Sequence, residues 1–111
     1  MSFVKPAKEV KFISNEIEDN FNALSDDWLK KAILRAIKNL KDNAFCGERI
    51  KKKLIPKKYL FDYDLDNLWW YPLPNGWRLV YTLTPFPDRN IVASIIEYFN
   101  HKDYERRFGY T

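Results

Sequence analysis

One hairpin signal constrains this chain more than anything else in it. Leu68-Trp69-Trp70-Tyr71-Pro72-Leu73 runs into Pro74-Asn75-Gly76 and out again as Trp77-Arg78-Leu79-Val80-Tyr81-Thr82-Leu83-Thr84. Both flanks are aromatic and β-branched, the composition that fits a pleated surface. The Asn-Gly pair supplies the two positive-φ residues of a tight primed turn. Side chains alternate along a strand, so Trp77, Leu79, Tyr81 and Leu83 share one face, and Arg78, Val80, Thr82 and Thr84 the other. Arg78 is therefore a cation fixed in an apolar ribbon. A second turn over 85–90 leads into Ile91-Val92-Ala93-Ser94-Ile95-Ile96-Glu97-Tyr98-Phe99, apolar on both faces and so read as an interior strand. The abruptly polar stretch Asn100-His101-Lys102-Asp103-Tyr104-Glu105-Arg106-Arg107 follows as a short tail.

Upstream, Val10-Lys11-Phe12-Ile13 reads as a short strand, and Ser14 is placed to cap a helix with Ile17, Phe21 and Leu24 on one side. Ser25 is placed to cap a second helix, with Asp26 and Asp27 at its positive end. Trp28, Leu29, Ala32, Ile33, Ala36, Ile37 and Leu40 make its continuous apolar stripe, and Lys30, Lys31, Arg35, Lys38 and Lys41 stay outside it. The short gap between the two helices predicts an antiparallel helical hairpin. The expected fold is α+β: an N-terminal strand, the helical hairpin over one sheet face, then a three-stranded antiparallel meander. The first strand is expected to join that sheet, with the Arg78 face open at least in part.

Residues 44–59 are basic. Arg49, Lys51, Lys52, Lys53, Lys57 and Lys58 surround Ile50, Leu54 and Ile55. Such a segment is either a solvated loop or a surface for an anionic partner, and clustered lysines repel unless an anion is near. Asp62, Asp64 and Asp66 then alternate with Phe61, Tyr63 and Leu65. An EF-hand loop would need Gly next and Glu at the twelfth place, where Asn67 and Leu73 stand. The aspartates are read instead as solvent-facing positions on a strand or its lead-in, and no metal is expected.

A chain of 111 residues is expected to be one domain, 1–111. The single cysteine, Cys46, excludes an internal disulfide and a cysteine-built metal cluster. The opening Met1-Ser2-Phe3-Val4-Lys5-Pro6 has no apolar signal stretch, and no run approaches the ~18 apolar residues that span a bilayer, so a cytoplasmic protein without a membrane partner is expected. A net charge of +4 favours an anionic partner.

The strand Asn75-Gly76-Trp77-Arg78-Leu79-Val80-Tyr81, the ending His101-Lys102-Asp103-Tyr104-Glu105-Arg106-Arg107-Phe108 and the order of elements resemble the RelE/ParE superfamily of toxins, from type II toxin–antitoxin modules. By element order the resemblance covers nearly the whole chain. It implies one of two activities. RelE-like members cut mRNA, typically in the ribosomal decoding site; ParE-like members inhibit DNA gyrase. The cutting branch keeps basic residues with a Tyr or His on the concave side of its sheet, and Arg78 and His101 favour that branch here. The resemblance further implies a cognate antitoxin that wraps the toxin, contact with mRNA and the ribosome, and contact with DNA only through the antitoxin. No cofactor is implied.

Metal-free RNA cleavage turns the 2′-hydroxyl on its own 3′-phosphate. Arginine suits the phosphorane, being always charged and able to donate in a fork. Histidine suits proton transfer near neutrality. Tyrosine can stack on an unpaired base or donate a proton. The expected catalytic set is Arg78, His101 and Tyr104. Arg106, Arg107, Lys51, Lys52, Lys53, Lys57 and Lys58 would hold RNA phosphates, with Tyr110 as a further stacking group. Each has a plainer alternative: Arg78 covering apolar sheet with its stem, His101 as a polar strand end, the tyrosines as packing for the tail, the lysines as solvated charge. The family's C-terminal tyrosine commonly stands farther along, near Phe108 here, which leaves three alternatives for a catalytic tyrosine: Tyr104, Tyr110 or none.

Overall fold

The computed structural model describes residues 5–25, 27–63 and 65–109. It is α+β: a five-stranded mixed sheet with helices on both faces. The strands are β1 (Glu9–Phe12), β2 (Glu48–Arg49), β3 (Trp69–Pro72), β4 (Arg78–Pro85) and β5 (Ile91–Phe99). The helices are α1 (Asn15–Asn22), α2 (Asp27–Asp42), α3 (Lys57–Tyr63) and α4 (His101–Phe108). The sheet order is β1-β5-β4-β3-β2. β1 runs parallel to β5, and the other neighbours are antiparallel.

The two N-terminal helices form as their patterns dictate. Ser14 Oγ accepts from the Ile17 N–H, closing the start of α1. Leu29, Ala32, Ile33, Ala36 and Leu40 of α2 are buried at helical spacing. They pack on Leu79, Tyr81 and Leu83 of β4 and Ala93 and Ile95 of β5. Trp28 sits at the margin of this layer and meets Trp77 edge-on at 5.9 Å. The junction expected at Ser25-Asp26 includes Asp26, outside the described residues. In the hairpin turn Asn75 and Gly76 carry φ of 61° and 77°, the left-handed pair that a primed turn needs.

Three expectations are corrected. The Arg78 face is more covered than expected: α3, α4 and the turn before α3 lie over much of it, burying Ile50, Tyr59, Leu68, Val80, Ile96, Tyr104 and Phe108 together. The polar tail is a helix. Asn100 caps it by accepting from the Asp103 N–H at 2.8 Å, Tyr104 and Phe108 face inward four residues apart, and Gly109 ends it with φ 73°. Residues 59–63, expected as strand or lead-in, belong to α3. Tyr59 and Tyr63 at i and i+4 point toward the core, and Lys58 and Asp62 pair at the same spacing. A short unforeseen strand, β2, also extends the meander at its far edge, and the parallel β1 makes the sheet mixed.

β5 carries one extra residue against β4. Val80 pairs with Glu97 and Tyr81 with Ile95, which leaves Ile96 as a bulge. Ile91, Ala93 and Ile95 therefore face the helical hairpin, as does Tyr98 beyond the bulge, while Ile96 and Phe99 join the opposite cluster.

Gly47 ties the chain between α2 and β2 to the sheet. Its N–H donates to the Tyr81 hydroxyl at 3.1 Å, and that hydroxyl donates to the Ala44 carbonyl at 3.2 Å. A Cβ there would lie 2.5 Å from the Trp70 carbonyl oxygen and 2.6 Å from the Tyr81 hydroxyl. Backbone cannot yield as a side-chain tip can. Gly47→Ala is expected to cost about 1–3 kcal/mol of stability, as overpacking does, read as a lower urea midpoint with unchanged slope.

Candidate functional site

Arg78 opens β4 directly after the hairpin turn, on the sheet face shared with α4. Its guanidinium carbon lies 4.1 Å from the Trp70 ring centroid and 4.4 Å from that of Tyr104. Two aromatic faces thus hold a planar cation, a contact an ammonium would not reproduce. No carboxylate pairs with Arg78 among the described residues. Its charge is fixed in place and not neutralised.

His101 begins α4 at the exit of β5. The hairpin turn reaches it: a Cβ on Gly76 would lie 3.5 Å from the His101 Cβ. The imidazole Nε2 stands 2.7 Å from Glu105 Oε1, one helical turn on, and the side chain is exposed. With Nε2 so engaged, Nδ1 is the ring nitrogen available to a substrate. Tyr104 completes the corner but is only 1% exposed. Its ring stacks on Phe108 at 4.6 Å and walls the Arg78 slot. It supports the cation here and does not present itself to solvent.

The remaining expected RNA contacts separate into two groups. Arg107 is an internal partner. Its Nη1 donates to both Glu97 oxygens, at 3.0 and 2.9 Å, and the Tyr59 hydroxyl donates to Glu97 Oε2 at 2.6 Å. Lys58 pairs with Asp62 at 3.0 Å, and Arg106 stands 3.6 Å from Asp103 on the exposed side of α4. Lys51, Lys52, Lys53 and Lys57 are exposed, and among the described residues none forms an ion pair. A cleft of about 310 Å³ between β5 and α4 is lined by Phe99, Asp103, Arg106 and Arg107. Tyr110 lies outside the described residues.

Comparisons of the chain with family models, with characterised proteins and with solved structures give no match.

Glu97 and Tyr59 were not foreseen as a unit. Nothing local in the sequence marks a carboxylate in an apolar strand as the partner of an arginine ten residues later. The side chains of Arg107 and Glu97 are 30% and 18% exposed. Breaking a buried pair costs about 3–5 kcal/mol, and partial exposure reduces that. Glu97→Ala is expected to destabilise the fold by about 2 kcal/mol, since it strands Arg107 and the Tyr59 hydroxyl at once. Glu97→Ala with Arg107→Met should recover part of that loss, as a double-mutant cycle in urea would read.

No three His, Cys, Asp or Glu side chains converge among the described residues. Of the three alternating aspartates, Asp62 pairs with Lys58 on α3, Asp66 lies in the loop before β3, and Asp64 is outside the described residues. No helix among the described residues is long and apolar enough to cross a membrane.

Proposed function

We propose that this chain is the toxin of a type II toxin–antitoxin pair on a RelE/ParE-like scaffold, acting as a metal-independent endoribonuclease on mRNA, on the ribosome, and held inactive by a cognate antitoxin. The observation that carries the reading is the corner where Arg78, unneutralised and fixed between two rings, stands beside the start of α4 and its exposed His101. The order of elements, with the first strand alongside the last and a meander of β3, β4 and β5, supports the same scaffold.

In this reading the 2′-hydroxyl attacks the adjacent phosphorus. The 2′-oxygen–phosphorus bond forms and the bond to the 5′-oxygen breaks, leaving a cyclic phosphate and a free 5′-hydroxyl. Arg78 bears the charge of the phosphorane, a task for a donor already held in place. His101 moves a proton, taken from the 2′-hydroxyl or given to the leaving oxygen. The free lysines before and within α3 hold flanking phosphates.

A second reading, a non-catalytic or gyrase-directed inhibitor on the same scaffold, draws support from the burial of Tyr104 and the internal pairing of Arg107. Mapping mRNA 5′ ends by primer extension after induced expression decides between the two. New ends spaced in reading frame are expected. Growth arrest with translated mRNA intact would hand the case to the inhibitor.

A further inference from the structure

The outer side of α3 has no task in the fold. Its inner side does the packing: Tyr59 is fully buried and stacks on Phe108 of α4 at 5.8 Å. Lys57, Leu60 and Phe61, at i, i+3 and i+4, share the opposite side. Phe61 is 85% exposed and Leu60 48%. A single exposed apolar side chain is ordinary, but two neighbours on one helix, with a ring almost wholly in water, are not scattered. Immediately before them stand Lys51, Lys52 and Lys53. These three and Lys57 are exposed and unpaired among the described residues.

We propose that this side of α3 is a landing platform for single-stranded RNA. Phe61 stacks a base on its open ring, Leu60 backs that contact, and Lys51, Lys52, Lys53 and Lys57 hold the phosphates on either side. A stacking ring beside a cationic track is the chemistry that single-strand binders use, and it is tolerant of sequence because every base offers a flat face. A duplex would not suit it, since its bases are already stacked on one another. An acidic peptide fits less well: a docked helix or strand wants a groove or a spaced line of apolar anchors, and this face offers one protruding ring and one leucine. The proposal rests on the functional reading above for RNA as the ligand, but it requires no cleavage. α3 and α4 lie side by side on one sheet face, joined by the Tyr59–Phe108–Tyr104 stack. A strand held on α3 therefore lies on the same side of the molecule as Arg78 and His101.

The test is fluorescence anisotropy with a labelled uridine strand of about 12 nucleotides, within the span such sites cover. Its riboses are 2′-O-methylated, so binding is read without chemistry. The single strand is expected to bind more tightly than a duplex of equal length. Phe61→Ala is expected to weaken it roughly ten-fold, with an unchanged salt slope and an unchanged melting temperature, and Phe61→Trp to restore it. Replacing Lys51, Lys52 and Lys53 by glutamine should flatten the log–log salt slope by about 2. Wild-type affinity in Phe61→Ala would reduce the face to diffuse charge attraction and overturn the platform. So would a Phe61→Ala variant that keeps the strand but loses a glutamate-rich helical peptide, which would make α3 a protein-docking surface. The two proposals fail separately. Intact mRNA in cells alongside Phe61-dependent binding removes the nuclease alone. Cleaved mRNA with a silent Phe61→Ala removes the platform alone.

Discussion

Arg78→Ala is expected to slow mRNA cleavage by about 10²–10³-fold, the loss seen when one preorganised donor to a developing oxyanion is removed. In cells this reads as rescued growth with intact transcripts. The substitution also empties the slot between Trp70 and Tyr104. Each lost cation–π contact is worth about 0.5–2 kcal/mol, so some loss of stability accompanies the loss of rate. Arg78→Lys separates the two effects. Lysine keeps the charge but neither the planar fork nor the double stack, so cleavage should stay low while growth inhibition by any non-catalytic route persists. His101→Ala, at an exposed position, should leave the melting temperature unchanged and lower cleavage by about 10²-fold or more. Full toxicity in both Arg78→Ala and His101→Ala, with the fold retained, would remove the nuclease reading.

Stability is expected to fall steeply above pH 10. Burial pushes the Tyr59 phenol far above its ordinary value near 10, helped by its hydrogen bond to Glu97, and burial does the same to Tyr81. Ionising Tyr59 would set a phenolate against a carboxylate at 2.6 Å. In the unfolded chain both phenols titrate normally. Above pH 10 the folded state therefore holds protons that the unfolded state has released, and unfolding gains with each further unit. The stabilisation is fully present below pH 10 and drains away above it, at about 1.4 kcal/mol per group per pH unit, or about 2.7 for the pair. Urea midpoints at pH 8, 10 and 11 measure this. Tyr59→Phe with Tyr81→Phe should flatten the alkaline limb, while a midpoint equal at pH 8 and pH 11 in the unaltered protein would contradict the burial of these hydroxyls.

The long periodic elements were legible because their patterns are redundant. α2 repeats its apolar positions over sixteen residues, and the primed turn needs only Asn75-Gly76. Alternation along β4 alone places Arg78 and Val80 opposite Leu79 and Tyr81. The short elements were hidden. α3 has seven residues, and its Asp62-Tyr63 stretch also satisfies period two, so three alternating aspartates outweighed the four-residue spacing of Tyr59 and Tyr63. α4 has only Tyr104 and Phe108 to bury among eight residues, yet the cap Asn100 and the closing Gly109 were visible signs of a helix. At the candidate site, Arg78 and His101 stand out in the sequence because each is chemically conspicuous in its surroundings. Of its supporting parts, Trp70 as one wall follows from the pairing of β3 with β4, and Glu105 on the imidazole from the tail being a helix. The internal use of Arg107 could not be foreseen, because it depends on which way Glu97 points.

That direction depends on the extra residue at Ile96. Were Ile96 instead drawn into the regular ladder opposite Val80, the parity of every later side chain would be reversed. Glu97 would then turn toward Leu79 and the helical hairpin, and the chain would leave the sheet with the start of α4 rolled to the far side. That slip would act as a mirror on the last fifteen residues. The imidazole and the guanidinium would be parted by the thickness of the sheet, although no residue of either element is changed.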